Sequence, residues 1–369
     1  MALIQEHSIK INVDLPKGDV NAKMEVFYNP VMISNRNISI LLINSVKNKA
    51  MKIADPLAGS GIRSLRFLKE LNKNKIKSLL INDMKEKFEH TFQEFLKLNK
   101  ISKKEQKKLI LMNQEASLLL FQNKGFDYVD IDPFGTPNPF LSAAIAAISR
   151  GGILAITATD TAALSGTYPL VTRRKYWSTS LKNNYMMHEI GLRILIRKVQ
   201  LYGVQFDKSL TPVLSYSKNH YFRIYFISEK GKEKCDKLLD QHQYLLFCPH
   251  CLNYKSSRYN QEVCACGHQF QFAGPLWVGK LFDAKLVLTM AKNNKFPEEQ
   301  KFLDILSEES KKDVLGFYDL HEIARKLKIN PPKIEEILKK TKGSRTHLTG
   351  TGVKTELSIN QMKDMVQKI

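Results

Sequence analysis

Polar and apolar residues alternate over 8–13 (SIKINV), the period of a half-buried strand. Residues 37–46 (NISILLINSV) instead gather their apolar positions on one helical face. In MKIADPLAGSGIRSLRFLKEL an apolar run ends at Asp55, a Gly-rich turn follows, and a helix starts near Ile62. That order is strand, loop, helix. Further strands are expected at Leu79–Asn82, Leu109–Met112, Phe126–Ile131 and Gly152–Thr159. Helical stretches lie between them at 84–108, which is very basic, and at 138–148. A helix rich in Ile and Leu follows at 185–202. Two strand-like runs come next, 211–216 and 221–228, joined by SKNH, a link short enough for a hairpin.

Strands alternating with helices predict an α/β domain on a parallel sheet. Five parallel strands closed by an antiparallel hairpin make the sheet of a class I (Rossmann-like) methyltransferase. A nicotinamide-type Rossmann domain is the alternative. Downstream, residues 281–292 and 299–310 read as helices. Two short amphipathic helices, 319–327 and 332–341, flank a KINP turn, and a Gly/Thr-rich segment follows at 343–355. That combination resembles a winged helix. The expected division is a methyltransferase domain over 1–232 and a smaller C-terminal α+β domain over 233–369. The second would carry zinc-ribbon-like and winged-helix-like elements.

The chain has 369 residues, 43% apolar and 25% charged, which excludes disorder, collagen and a disulfide mini-protein as whole-chain readings. There are 57 Lys and Arg against 36 Asp and Glu, a formal charge of +21. Residues 284–369 hold 17 basic and 12 acidic residues, so the excess is spread along the chain. A polyanion is the expected partner, nucleic acid first. A Lys-rich composition without such a partner is the alternative. No uncharged apolar stretch reaches 18 residues, and MALIQEHSIK lacks the form of a signal peptide. The expectation is a cytoplasmic protein with no membrane contact and no protein partner implied.

Two loops carry candidate chemistry. Gly59-Ser60-Gly61 lets the backbone approach a ligand closely. Ser64 stands where a G-x-G-x-x-G motif needs its third glycine, which weakens a pyrophosphate site. Asp83 ends the next strand, 22 positions beyond Gly61, where a carboxylate accepts both ribose hydroxyls. Ribose without pyrophosphate fits S-adenosylmethionine. Glu115 and Ala116 follow the third strand, within reach of the adenine edge of the same ligand. A tight turn with acidic helix caps is the structural alternative for all of these.

The second loop is Asp130-Ile-Asp132-Pro133-Phe134-Gly135, at the strand end where open α/β sheets bind ligands. It has the shape of the Asn/Asp-Pro-Pro-Tyr/Phe loop of amino-group methyltransferases. An exocyclic base amine is a poor nucleophile because its lone pair is delocalised into the ring. Acceptors on its N–H groups return electron density to nitrogen. Asp132 supplies a carboxylate oxygen and Pro133 a carbonyl, while Phe134 offers a face for stacking.

Taken together, VFYNPVMISNRNISI (26–40), DPLAGSGIRSLRF (55–67), IND (81–83), DIDPFGTPNPFLSAAI (130–145), TATDTAALSGTYPLVTRRKYW (157–177) and HEIGLRILI (188–196) form a specific set. With Thr346-His347 and Lys354-Thr355, they resemble the tRNA (guanine-26-N2)-dimethyltransferase family in its archaeal-like short form. The resemblance implies transfer of two methyl groups from S-adenosylmethionine to a tRNA guanine N2. It implies Asp132 as catalytic acceptor and Arg36, Arg63, Asp83, Glu115 and Ala116 as cofactor-binding positions. Phe27 and Phe134 match contacts to the target base. Arg36 and Arg63 are the candidates for the methionine carboxylate, where bidentate pairing is natural. Glu115 stands where many members carry Asp.

Cys248-x2-Cys251-x12-Cys264-x-Cys266 holds four of the five cysteines. Four thiolates in two knuckles make a closed, structural Zn2+ site. The second knuckle is one residue short of the family's C-x2-C-G, and His250 or His268 is an alternative ligand. Reduced thiols in a decayed ribbon are the other reading. Two further functions compete with the first: an adenine-N6 methyltransferase of DNA or RNA, and a non-catalytic zinc-ribbon and winged-helix binder of nucleic acid.

Overall fold

The structure, a computed structural model, describes residues 2–13, 24 and 26–368. It opens with an antiparallel hairpin of β1 (Ala2–Glu6) and β2 (Ile9–Val13). Ile9, Ile11 and Val13 are buried, as the alternation in 8–13 requires, and β1 is an addition to the expected set.

Seven strands form the main sheet: β3 (Met51–Asp55), β4 (Ile76–Asn82), β5 (Leu109–Met112), β6 (Phe126–Ile131), β7 (Ile148–Ala158), β8 (Lys208–Lys218) and β9 (Tyr221–Lys230). Their order is β5-β4-β3-β6-β7-β9-β8. The pairs among β3 to β7 are parallel. Only Asn219 and His220 separate β8 from β9, so the expected hairpin closes the sheet. The chain runs outward from β3 to β5 and then returns to β6. That reversal between β3 and β6 is where such a sheet binds ligands. The arrangement is that of a Rossmann-like methyltransferase, as expected.

Most element boundaries fall near the expected ones. The basic stretch 84–108 does not form one helix. It gives Phe88–Leu98 and a short turn Lys103–Gln106. Lys100 has φ +49, and Ser102 starts again with a capping box in which its hydroxyl accepts from Glu105 N.

The chain divides into two compact units. The first comprises 1–159, 225–230 and 293–299. The second comprises 160–224, 231–292 and 300–369.

The second unit is built on the helix Met187–Val204. A three-stranded antiparallel sheet, β10 (His242–Phe247), β11 (Tyr254–Ser257) and β12 (Gln271–Trp277), has the order β11-β10-β12. Helices Leu320–Leu327 and Ile334–Thr341 then accompany a small sheet of β13 (Tyr318–Asp319), β14 (Ser344–Arg345) and β15 (Gly352–Lys354). The second unit thus contains the smaller α+β sheet region expected downstream, with the two short helices beside it.

The tail residues Thr346, His347 and Lys354 hold this unit together from inside. Thr346 Oγ1 donates to Glu309 Oε1 at 2.8 Å, and His347 Nδ1 pairs with Glu309 Oε2 at 2.6 Å. Lys354 Nζ donates to Glu189 Oε2 at 3.0 Å and to the carbonyls of Val314 and Gly316.

Candidate active site and cysteine cluster

The loops after β3, β4, β5 and β6 meet at the C-terminal edge of the sheet. Gly59 and Gly61 both have positive φ, +59 and +73. A Cβ on Gly61 would lie 2.4 Å from the Phe92 ring, and one on Gly59 would lie 3.3 Å from the Phe27 ring. Both backbones favour glycine, and at Gly61 the Phe92 ring leaves no room for a side chain.

Asp83 Oδ2 accepts from Gly59 N at 2.8 Å, and Oδ1 accepts from Lys85 N at 3.1 Å. Each oxygen thus keeps one lone-pair direction for a further donor. Asn82 ties three loops together. Its Nδ2 donates to Pro56 O and Gln114 O, both at 2.9 Å, and its Oδ1 accepts from Gln114 N. Asn82 stands inside the IND motif, but nothing local in the chain marks it as the tie between these loops.

Glu115 Oε2 accepts from Leu118 N at 2.7 Å and caps the helix Ala116–Gln122. Burial works against its charge, but hydrogen bonds from Ser117 and Leu118 outweigh that and hold it below the usual carboxylate range. Ala116 is buried in the first turn of that helix. A cavity of about 380 Å³ lies beside the loop after β3, lined by Val26, Gly59, Ser60, Lys85, Phe88 and Phe92 among others. Its size suits a nucleoside-sized ligand.

Asp132 stands at the end of β6 with its side chain 16% exposed. Arg63 Nη2 donates to its Oδ2. Arg63 Nη1 also donates to Asn35 Oδ1 at 3.0 Å and Ser39 Oγ at 3.1 Å, and lies 3.3 Å from Asp130 Oδ2. Asp130 is fully buried and accepts from Tyr128 Oη at 2.7 Å. Asp55, also buried, accepts from Ser64 Oγ at 2.7 Å. Burial pushes the Asp55 carboxyl up to about 7, with Asp130 and Asp132 adding to it and Arg63 and Ser64 opposing.

Asp130 and Asn35 are site residues that the sequence reading did not single out. The signal for Asp130 was present, because i and i+2 on a strand share a face.

The aromatic contacts converge. Phe27 and Phe134 meet edge to face, ring centroids 4.4 Å apart at 76°. Phe134 is 54% exposed, so a face remains for a ligand. Gly135, φ +78, turns the chain, and its N donates to Thr159 Oγ1 at 2.7 Å, pinning the loop to the end of β7. Pro133 is buried in this loop.

Arg36 behaves differently. Its Nε and Nη2 pair with the two oxygens of buried Glu6, and Nη2 also donates to Asn29 O. Both arginines expected at a methionine carboxylate are thus engaged by carboxylates of the chain itself, Arg36 by Glu6 and Arg63 by Asp132.

In the second unit the four cysteines gather although the second knuckle is short. Cys248 Sγ lies 3.5 Å from Cys266 Sγ, and Cys251 Sγ 3.6 Å from Cys264 Sγ. All four lie within 4.8 Å of one another. Thiolates about 2.3 Å from one zinc ion stand about 3.8 Å apart at tetrahedral corners, so the set has the right size. Gly267 at φ +84 closes the short knuckle, its N donating to Cys264 O at 2.8 Å. His250 and His268 stack on each other at 3.7 Å, with His268 Nδ1 3.6 Å from Cys266 Sγ.

Comparison with known proteins agrees with this geometry. The family model for N2,N2-dimethylguanosine tRNA methyltransferase matches residues 4–367. The chain is 38% identical to the tRNA (guanine(26)-N(2)/guanine(27)-N(2))-dimethyltransferase of Aquifex aeolicus, over 100% of this chain and 96% of that protein. It is 35% identical to the tRNA (guanine(26)-N(2))-dimethyltransferase of Methanosphaera stadtmanae, over 100% of this chain and 97% of that protein. The solved complex of Trm1 from Pyrococcus horikoshii with S-adenosyl-L-methionine aligns with a TM-score of 0.86 at 30% identity. That alignment covers 99% of this chain and 100% of the other. Matched along its whole length, the chain belongs to the N2,N2-dimethylguanosine tRNA methyltransferase family.

Proposed function

We propose that this protein transfers two methyl groups from S-adenosylmethionine to N2 of guanine-26 in cytoplasmic tRNA, giving N2,N2-dimethylguanosine. The observation that carries the chemistry is Asp132. It stands at the switch-point edge of the sheet, held at Oδ2 by Arg63 and flanked by the Phe27–Phe134 pair. S-adenosylmethionine, when bound, supplies the methyl group. Asp83 would hold its ribose through the remaining lone pairs, with Glu115 and Ala116 beside the adenine. Arg36 and Arg63 act on this reading through Glu6 and Asp132, shaping the pocket wall and aiming the acceptor.

The target guanine leaves the tRNA stack, at a cost of a few kcal/mol, and stacks on Phe134. Its two N2–H groups donate to Asp132 and to the Pro133 carbonyl. As nitrogen gains the methyl, the displaced proton passes to Asp132. The first methylation removes one donor, and the remaining N–H still engages Asp132 when the new methyl turns toward Pro133. After the second methylation no donor is left, and the product faces an unpaired acceptor. That mismatch costs roughly 1–3 kcal/mol and favours release.

The cysteines Cys248, Cys251, Cys264 and Cys266 would hold a structural zinc ion, closing the knuckles beside β10 and β12. The residues after 232, with this ribbon and the winged-helix-like element, contribute to gripping the tRNA.

Radiolabelled methyl transfer to an unmodified tRNA transcript, followed by nucleoside analysis, tests the reading. N2,N2-dimethylguanosine at position 26 supports it, and the assay reads position 27 in the same transcript. N6-methyladenosine, or no transfer, overturns it.

A further inference from the structure

One surface of the second unit has no part in the chemistry above. The short helix Pro169–Tyr176 buries Thr172 and Tyr176, one turn apart, and the Tyr176 hydroxyl donates to Asp160 Oδ1 at 2.6 Å. Arg173, Arg174 and Lys175 are exposed, as are Tyr168 at 58% and Leu170 at 66%. Among the described residues the ion pair found here is Lys175 with Asp160 at 3.6 Å, and Arg173 and Arg174 make none.

Trp177 ends this helix and is 48% exposed, yet it is held firmly. Its backbone is left-handed, φ +53, a conformation that bulky side chains rarely adopt. Trp177 N donates to Arg173 O at 3.1 Å, and Arg197 Nη1 donates to Trp177 O at 3.1 Å. Buried Lys198 places its Nζ 3.0 Å from the indole centroid. The Tyr202 ring lies nearly parallel to the indole, 9° and 5.8 Å away. A large ring fixed from below and left half in water is poor core material. Beside three basic side chains, it matches a polyanion whose units pair a phosphate with a flat ring.

We propose that Trp177 is a stacking platform for an unpaired tRNA nucleobase, and that Arg173 and Arg174 bind the phosphates beside that base. This rests on tRNA being the substrate and names the surface that receives it. The indole is preorganised, so little ordering cost attends the contact.

The chain has two tryptophans, and Trp277 is only 4% exposed, so acrylamide quenching of fluorescence reports mainly on Trp177. Unmodified tRNA should shield Trp177 from acrylamide. Trp177→Ala should weaken tRNA binding about tenfold and Trp177→Phe should recover most of that, with S-adenosylmethionine affinity unchanged. Arg173→Ala with Arg174→Ala should flatten the slope of log affinity against log salt by about 1.5. Suppose wild-type protein binds and methylates tRNA while Trp177 stays open to acrylamide and the variants bind as wild type does. The platform is then wrong and the enzymatic reading stands. Wild-type protein that neither binds nor methylates tRNA overturns both. Shielding by a protein partner without shielding by tRNA would identify the surface as a protein interface and also overturn the proposal.

Discussion

Arg63 and Lys354 are both buried cations among carboxylates, but the two clusters are arranged to different ends. Around Lys354 two cations share the interior: Lys354 and Arg193 face Glu189 and Glu309, with Asp313, whose carboxyl burial pushes up, in the field of both. The side chains of Lys354, Glu309 and His347 are 0% exposed. Ser217 N donates to His347 Nε2 at 3.2 Å, so His347 carries its proton on Nδ1 and gives it to Glu309. Around Arg63 the charges do not match. One guanidinium lies among Asp55, Asp130 and Asp132, and Asp132 reaches solvent. A closed cluster that holds two cations fixes a fold. An unbalanced cluster with one open carboxylate suits the role proposed for Asp132, an acceptor for a substrate that brings its own donors.

The largest effect expected from breaking this contrast is on rate. Asp132→Ala should lower methyl transfer by about 10³-fold or more while unfolding behaviour and S-adenosylmethionine binding stay as in wild type. Asp132→Asn retains an acceptor but not the charge, so both methylations should slow to a smaller extent. Single-turnover analysis of mono- and dimethylguanosine reads both steps. Near wild-type dimethylation by Asp132→Ala would remove Asp132 from the catalytic role and leave Arg63's cluster merely structural.

Next in size is the opposite result from the closed cluster. Glu309→Ala leaves the Thr346 hydroxyl and the His347 ring and backbone N–H buried without an acceptor, and takes from Lys354 the second of its two carboxylates, a loss of about 3–5 kcal/mol. Glu309 lies below the usual carboxylate range because His347 and Lys354 outweigh the cost of its burial. Denaturant unfolding should show the full loss, while methyl transfer per folded molecule stays near wild type. A loss below about 1 kcal/mol would mean the tail residues serve something other than the fold.

The contrast also marks how far sequence reasoning reaches. Asp132, Pro133 and Phe134 stand out in the chain because a strand end, a rigid turn and an aromatic ring are local features, and the structure sets Phe134 against Phe27 and Asp132 against Arg63. The partners of Arg36 and Arg63 were not legible. Glu6 lies 30 positions from Arg36, on a strand whose pattern gave no sign of it, and Asp132 lies 69 positions from Arg63. Only tertiary packing chooses which carboxylate a guanidinium meets. The break in 84–108 is a different case. Ser102 and Glu105 form the capping box that the structure shows, so its signal was in the chain. The tail motif had no local meaning at all: Thr346 and His347 answer to Glu309, 37 and 38 positions away.

The smallest expected effect separates the clusters by pH. Burial opposes the charge on Glu189, but Lys354 and Arg193 outweigh it and bring its pKa down to about 2 from an ordinary 4.5. A depressed carboxylate contributes its stability fully above the unfolded value and loses it as pH falls toward 2. Asp55 runs the other way, raised by burial from 3.8 to about 7. Its contribution is complete below 3.8 and is lost as pH rises through 7, because the folded state holds a proton the unfolded chain has released. Asp55→Asn removes that proton and keeps an oxygen for the Ser64 hydroxyl. Wild-type protein should therefore lose about 2–3 kcal/mol relative to Asp55→Asn between pH 5 and pH 8, measured by thermal unfolding at both. Below pH 4 the two should fall together, since Glu189 is present in each. Parallel curves from pH 5 to 8 would show that Asp55 ionises freely on folding. The three carboxylates around Arg63 would then not be in the competition that leaves Asp132 as the open acceptor.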